Sequence, residues 1–273
     1  MQIIDTIELF PVINDKLISF LKSLSPGDWQ RQTAAKKWVI KDVASHLLDG
    51  NLRRIAMHRD GWLNVVGNID SHKDLVNYLN EINADWVKAT RRLSPQLIVE
   101  LLEQTNQQVY EIFKNLDPME KSIFPVGWAG EDQSKNWFDI AREYTERWLH
   151  QQQIRDAVGD RNIMTNELYY PVLTIFMQAW PFACRDTEAV QGTILKTLIT
   201  GDGGGEWFLT KQNNEWRISE PSSATSAETI IDGAIAWKLF SKSVRKEDVK
   251  EFISIKGERV LAEKILDMVS VMA

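Results

Sequence analysis

The feature that most constrains this chain is a change of periodicity near residue 160. Upstream, apolar residues recur at three- and four-residue steps. Ile7, Phe10, Ile13, Leu17, Phe20, Leu21 and Leu24 share one helix face until SPGD at 25–28 stops it. A second helix is predicted from about Ile40 through ASHLLDGNLRRIAMH. A long helical region follows over about 72–116, with a break at Ser94-Pro95 because proline suits a first turn but not a helix interior. A fourth covers about 134–158, after the proline- and glycine-bearing loop DPMEKSIFPVGWAGEDQ. Helices of these lengths, joined this way, predict a four-helix bundle over 1–160.

Downstream the texture is different. A helix over about 166–185 leads into TILKTLIT, EWFLTKQ and EWRISE, short β-rich runs separated by GDGGG and NN. Those separators are turn chemistry and predict a β-meander. GDGGG has neither the spacing nor the following Lys-Ser/Thr of a phosphate-cradling loop, so it reads as a hairpin turn. A helix at about 228–242, a strand at FISIKG and a last helix from GERVLAEKILDMVSVMA complete a smaller α+β domain over 161–273. The predicted fold class is therefore an α domain plus an α+β domain, and 273 residues leave room for both.

Composition narrows the function. The net charge of -6, with no cluster of Lys and Arg, argues against nucleic acid as a partner. The longest apolar stretch, at 169–183, contains two prolines and a glutamine and is too short to span a bilayer. No basic segment precedes the apolar residues of MQIIDTIELF, so no secretory signal is expected. The single cysteine, Cys184, excludes an intramolecular disulfide and reads as buried packing rather than a nucleophile. Together these features predict a soluble, cytoplasmic protein.

The chemistry concentrates in YTERWLHQQQIRDAVG at 144–159. On a helical wheel Trp137, Ala141, Tyr144 and Trp148 form an aromatic stripe, and Asp139, Arg142, Glu146, His150 and Gln153 lie opposite. Glu146 and His150 are one turn apart. Such a pair is ordinary on a solvated face, and it becomes a candidate metal site only if that face points inward. His46, on the same arc as Val39 and Val43 and beside Leu47, strengthens the second reading, since an imidazole at an apolar edge needs a partner for its nitrogen. Two ligands at i and i+4, joined by a histidine from a neighbouring helix, form a set of two histidines and a glutamate, a known catalytic zinc arrangement. Glu143 competes as the carboxylate but lies two turns from His150. His58 and His72 match no ligand spacing and read as surface residues. The eleven tryptophans suit core packing better than a ligand-stacking surface, although Trp128, in the loop before the fourth helix, is placed near a pocket mouth.

WVIKDVASHLL around His46 and REYTERWLHQQQIRDAVG around Glu146 and His150 resemble the DinB-like metal-binding superfamily, in its branch containing mycothiol-dependent maleylpyruvate isomerase. SSATSAETIIDGAIAWKLFSK and ISIKGERVLAEKILDMVSVMA resemble the sterol-carrier-like domain appended in that branch. The resemblance implies a divalent metal, usually zinc, held by His46, Glu146 and His150, with Gln153 and Arg142 as supporting candidates. Gln153 stands where the branch commonly has an aspartate, which is a stronger acceptor. It further implies a low-molecular-weight thiol as cofactor and a small electrophile or unsaturated acid as substrate, the metal-activated thiol serving in isomerisation or S-transfer. The thiol is left open, mycothiol or another, because the Lys-, Ile- and Asn-containing composition is unlike that of mycothiol producers. Two alternatives stay open from the residues alone: a non-enzymatic carrier of an apolar ligand, and a metal-dependent hydrolase using the same site.

Overall fold

The computed structural model describes residues 3–63 and 72–271, with the backbone alone at 72 and 73. Its backbone contacts gather into two compact units, one formed by Asp5–Glu120 with Arg147–Arg161, the other by Lys121–Glu146 with the chain from Asn162 onward. The last long helix contributes residues to both units.

The first unit is helical: α1 (Leu9–Ser23), α2 (Ile40–His58), α3 (His72–Thr90), α4 (Pro95–Asn115) and the C-terminal half of α5 (Asn136–Asp156). The predicted break at Ser94-Pro95 separates α3 from α4. Ser94 Oγ accepts the Leu97 N–H at 3.2 Å, and Pro95 occupies a first-turn position where no N–H is needed. At the start of α2 the Asp42 carboxylate accepts the Val39 N–H at 3.2 Å. The core is the apolar stripe of each helix, with Leu17 and Leu21 of α1, Val43 and Leu47 of α2, Ile98 and Leu102 of α4 and Ile154 of α5. α3 is pinned to α2 by polar contacts: Trp86 Nε1 donates to the Ser45 carbonyl at 2.8 Å, and the Ser45 and Thr90 hydroxyls lie 2.6 Å apart.

In the second unit α6 (Tyr169–Phe176) and α7 (Trp180–Ala183) precede a five-stranded sheet of order β3-β2-β1-β4-β5. Strands β1 (Ile194–Thr200), β2 (Gly205–Gln212) and β3 (Glu215–Ser219) form the expected antiparallel meander. GDGGG makes the first turn; a Cβ on Gly204 would stand 2.0 Å from the Ile199 carbonyl oxygen. The second turn takes Asn213 and Asn214 at φ 48° and 65°, the left-handed pair a two-residue hairpin requires.

The structure corrects one expectation here. Residues 228–232, read as the start of a helix, belong to β4 (Ala227–Asp232), parallel to β1 and antiparallel to β5 (Ile253–Gly257). Ala227, Thr229 and Ile231 are buried in alternation, and Asp232 caps the helix that follows, its carboxylate accepting the Ala234 N–H at 2.7 Å. Only α8 (Gly233–Phe240) remains of the predicted helix. The last helix is likewise shortened to α9 (Arg259–Ala262) and a 3-10 turn over Glu263–Asp267, and Thr229 Oγ1 donates to the Ala262 carbonyl at 2.8 Å. Cys184 is buried, and burial pushes its thiol up to about 12, which suits packing and not nucleophilic work. Among the described residues no helix is long and apolar enough to cross a membrane.

Candidate functional site

α5 is a core helix although its composition is polar: no residue from 136 through 158 is fully exposed. The wheel of two opposed faces, one wet, is therefore too simple. Trp148 is completely buried and Trp137 nearly so, and the polar residues are buried or half-buried as well. A helix of this kind is stable only if its polar groups find partners inside the protein.

Arg147 shows how this is met. Its Nη1 donates to Asn14 Oδ1 at 3.0 Å and to Asn106 Oδ1 at 2.7 Å, and its Nη2 donates to Asn51 Oδ1. Asn51 Nδ2 in turn donates to Thr105 Oγ1 and Asn106 Oδ1, both at 2.8 Å. One guanidinium thus joins α1, α2 and α4 to α5. Further along, Arg155 Nη2 donates to the Lys16 carbonyl at 2.9 Å and Nη1 pairs with Asp160 at 2.7 Å.

Within this frame α2 and α5 bring two histidines together. The rings of His46 and His150 lie edge-on, with centroids 4.7 Å apart. The Trp38 ring packs tilted against His46, with centroids 4.8 Å apart. The loop carrying Trp38 is firmly tied, since the Trp38 carbonyl accepts from Gln32 Nε2 and Thr33 Oγ1, both at 2.8 Å. Burial first, then the neighbouring His150 and Arg53, hold the His46 imidazole well below its ordinary value of 6.5, so it is neutral at physiological pH. His46 is half-buried as a residue, and its Nδ1 is closed off from solvent with no hydrogen-bond partner. His150 Nδ1 lies 2.9 Å from Gln153 Oε1. An amide oxygen can only accept, so this contact calls for the proton on Nδ1.

The other sequence candidates are placed as follows. Glu146 is half-buried, one turn before His150 on the same helix. Arg142 pairs with Asp139 at 2.6 Å and with Glu143 at 3.1 Å, so the Glu143 carboxylate already has a strong partner. Trp128 is buried edge-on against Phe138, with centroids 5.9 Å apart. His58 is half-buried rather than on the surface; its Nε2 lies 3.3 Å from Arg54 Nη1 and its ring is edge-on to Phe113. The side chain of His72 lies outside the described residues. An open groove of about 600 Å³ runs between His58, Arg59 and residues 104–116 at the C-terminal end of α4. It is some 12 residues along α2 from His46, roughly 18 Å by helical rise, and so separate from the imidazole pair.

The fit of a divalent ion rests on these donors. A neutral imidazole with an orphaned buried nitrogen, beside a second imidazole whose tautomer is set by Gln153, is a suitable nitrogen pair. Among the described residues no three His, Cys, Asp or Glu side chains are gathered around a common point. The structure thus brings two histidines together, and the carboxylate lies one helical turn away from the second.

Sequence reasoning missed the Arg147 hub. Its signal was present: Asn106 occupies a core position of the stripe Leu102, Val109, Phe113, as Asn14 does between Phe10 and Leu17, and Asn51 between Leu47 and Ile55. Three asparagines on three apolar stripes call for a common partner.

Residues 11–155, more than half of the chain, match the family described as mycothiol maleylpyruvate isomerase N-terminal domain. Two crystal structures of mycothiol-dependent maleylpyruvate isomerase, one a histidine-to-alanine variant, superpose with a TM-score of 0.56 in each case. They are 8% identical for the variant and 9% for the other, and each match covers 94% of this chain and 95% of the other chain. At that identity the likeness establishes the fold. No curated protein matches the chain in sequence. The match across more than half of its length, on the helices that carry His46 and His150, places this chain in the mycothiol maleylpyruvate isomerase N-terminal domain family.

Proposed function

We propose that the protein is a divalent-metal-dependent, thiol-using isomerase or S-transferase, acting on a small electrophile such as an unsaturated acid. The observation that carries this reading is the His46–His150 pair, with the buried, partnerless Nδ1 of His46. His46 and His150 would supply two nitrogens and Glu146 one carboxylate oxygen, with zinc the metal best suited to that donor set. When bound, an ion with an open position lowers the pKa of a low-molecular-weight thiol so that it reacts as the thiolate.

The chain's own residues prepare the site. Gln153 keeps the proton of His150 on Nδ1. Trp38 packs its ring against His46. Arg142 holds Glu143, and Glu146 is the carboxylate one turn before His150. In the isomerisation, the thiol sulfur adds to an activated cis double bond, rotation about the resulting single bond follows, and elimination of the same thiol gives the trans product. Thiol and proton are returned, so the reaction needs no oxidant or reductant. In S-transfer the adduct is released instead.

Elemental analysis of the wild type and of His150→Ala, with activity screens in the presence and absence of thiols, tests the reading. The wild type should carry zinc near one equivalent per chain, His150→Ala should lose most of it, and turnover of cis-unsaturated acids should require thiol. Equal zinc in both proteins overturns the proposal. Thiol-independent hydrolysis would assign the site to a hydrolase, and an apolar ligand copurifying with a metal-free, inactive protein would favour a carrier.

A further inference from the structure

His150 faces His46 only if α5 has the right rotation about its own axis. A slip of one residue turns a helix side chain by about 100° and would carry the imidazole off the α2 side altogether. Apolar packing sets rotation loosely, because Leu, Ile and Val contacts are non-directional. Hydrogen bonds are directional, and a single buried polar group can specify register where apolar contacts leave it degenerate. Arg147 lies three residues before His150, on the adjoining arc of α5. Its partner Asn51 lies five residues after His46 on α2. The pairs 147–51 and 150–46 run in opposite order along the two helices, so they are two rungs of one antiparallel contact. Asn14 and Asn106 hold the same guanidinium from α1 and α4. The planar fork of an arginine can satisfy acceptors on three helices at fixed angles, which a lysine cannot. The guanidinium also lies 5.6 Å from the centroid of the Phe10 ring, packed as well as hydrogen-bonded.

We propose that Arg147, gripped by Asn14, Asn51 and Asn106, is a positioning residue: it sets the rotation of α5 and thereby holds His150 against His46. This role deepens the metal-site reading and rests on it for its use in function, but the positioning itself does not require a metal.

The hub can be replaced by apolar side chains of similar volume, Asn14→Leu, Asn51→Leu, Asn106→Leu and Arg147→Met together. Exchanging a buried polar cluster for packed hydrophobes is often neutral for stability. In metal-free protein with selectively labelled histidines, the wild type should show NOEs between the His46 and His150 rings. The apolar-hub protein should keep its helical circular dichroism and cooperative unfolding, lose those NOEs, and bind zinc roughly tenfold or more weakly. Arg147→Lys, with a cation but no fork, should fall between the two. If the fourfold variant does not fold, Asn51→Ala decides, since it releases only the α2 grip: weakened ring contacts support the proposal and unchanged ones overturn it. Full ring contacts in a folded apolar-hub protein also overturn it. A wild type with ring contacts but no zinc would sink the metal reading alone.

Discussion

Gln153→Leu isolates what the supporting hydrogen bond contributes to the histidine pair. Gln153 is 5% exposed, and its Oε1 is 2.9 Å from His150 Nδ1. Leucine fills a similar volume and removes the acceptor. The direct loss to folding is that of one neutral hydrogen bond, about 0.5–1.5 kcal/mol, offset in part by the apolar side chain. The loss to the site is larger in consequence. Without the amide oxygen the imidazole can rotate and can move its proton to Nε2, which removes the ligating lone pair. Changes to such partners commonly weaken metal binding by about 10–100-fold, or about 1.4–2.7 kcal/mol. Gln153→Asp should act in the opposite direction, because a charged acceptor makes a hydrogen bond roughly twice as strong and raises the basicity of the ring. Zinc competition against a chromophoric chelator at constant pH should rank the proteins Asp above Gln above Leu, while the metal-free melting temperature of Gln153→Leu moves by only a few degrees. Wild-type affinity in Gln153→Leu, with binding still lost in His150→Ala, would refute the argument that the tautomer matters.

Metal-free protein should lose stability as pH falls below about 6.5, by up to ~1.4 kcal/mol per pH unit, because the unfolded chain protonates its histidine there while folded His46 stays neutral; urea melts of wild type and His46→Phe should show the slope reduced in the variant. Asp232→Ala removes the cap of α8 and should cost about 1 kcal/mol, read as a lower urea midpoint at unchanged slope. Leu102→Ala empties a fully buried position of the bundle and should cost about 2–5 kcal/mol by the same measurement. At Asn214, held at φ 65°, substitution by Gly should be tolerated and by Ala should destabilise by about 1 kcal/mol, which differential scanning calorimetry would resolve.

The parts of the fold legible in the sequence were those with a strong local cause. α1, α2 and α4 carry apolar stripes of the right period, Ser94-Pro95 is a helix start in any context, and the GDGGG and NN turns need left-handed or crowded backbone that few other residues supply. β4 was not legible because AETIID is followed directly by a true helix. Its strand character comes from pairing with β1, more than 30 residues earlier in the chain, and local propensity does not see that partner. Of the candidate site, the spacing of Glu146 and His150 and the apolar setting of His46 point to the helices that meet, and the structure places the two imidazoles side by side.

The harder lesson lies in α5. Amphipathicity assumes that a polar residue on a helix seeks water, and the wheel of this helix then shows one wet face and one dry one. In the structure Arg147, Gln151, Gln152, Gln153 and Arg155 are all buried. For Arg147 the destination is encoded on other helices, by asparagines that look like defects in otherwise apolar stripes. A buried polar helix is costly unless each group is matched, and the matching is what makes its position specific. The same property that hides α5 from a pattern of hydrophobic periodicity equips it to carry a site, because a helix held by directional bonds presents His150 at one angle only. A chain that kept the Glu-x-x-x-His spacing but replaced these asparagines with leucines should fold as a bundle and hold its histidines poorly.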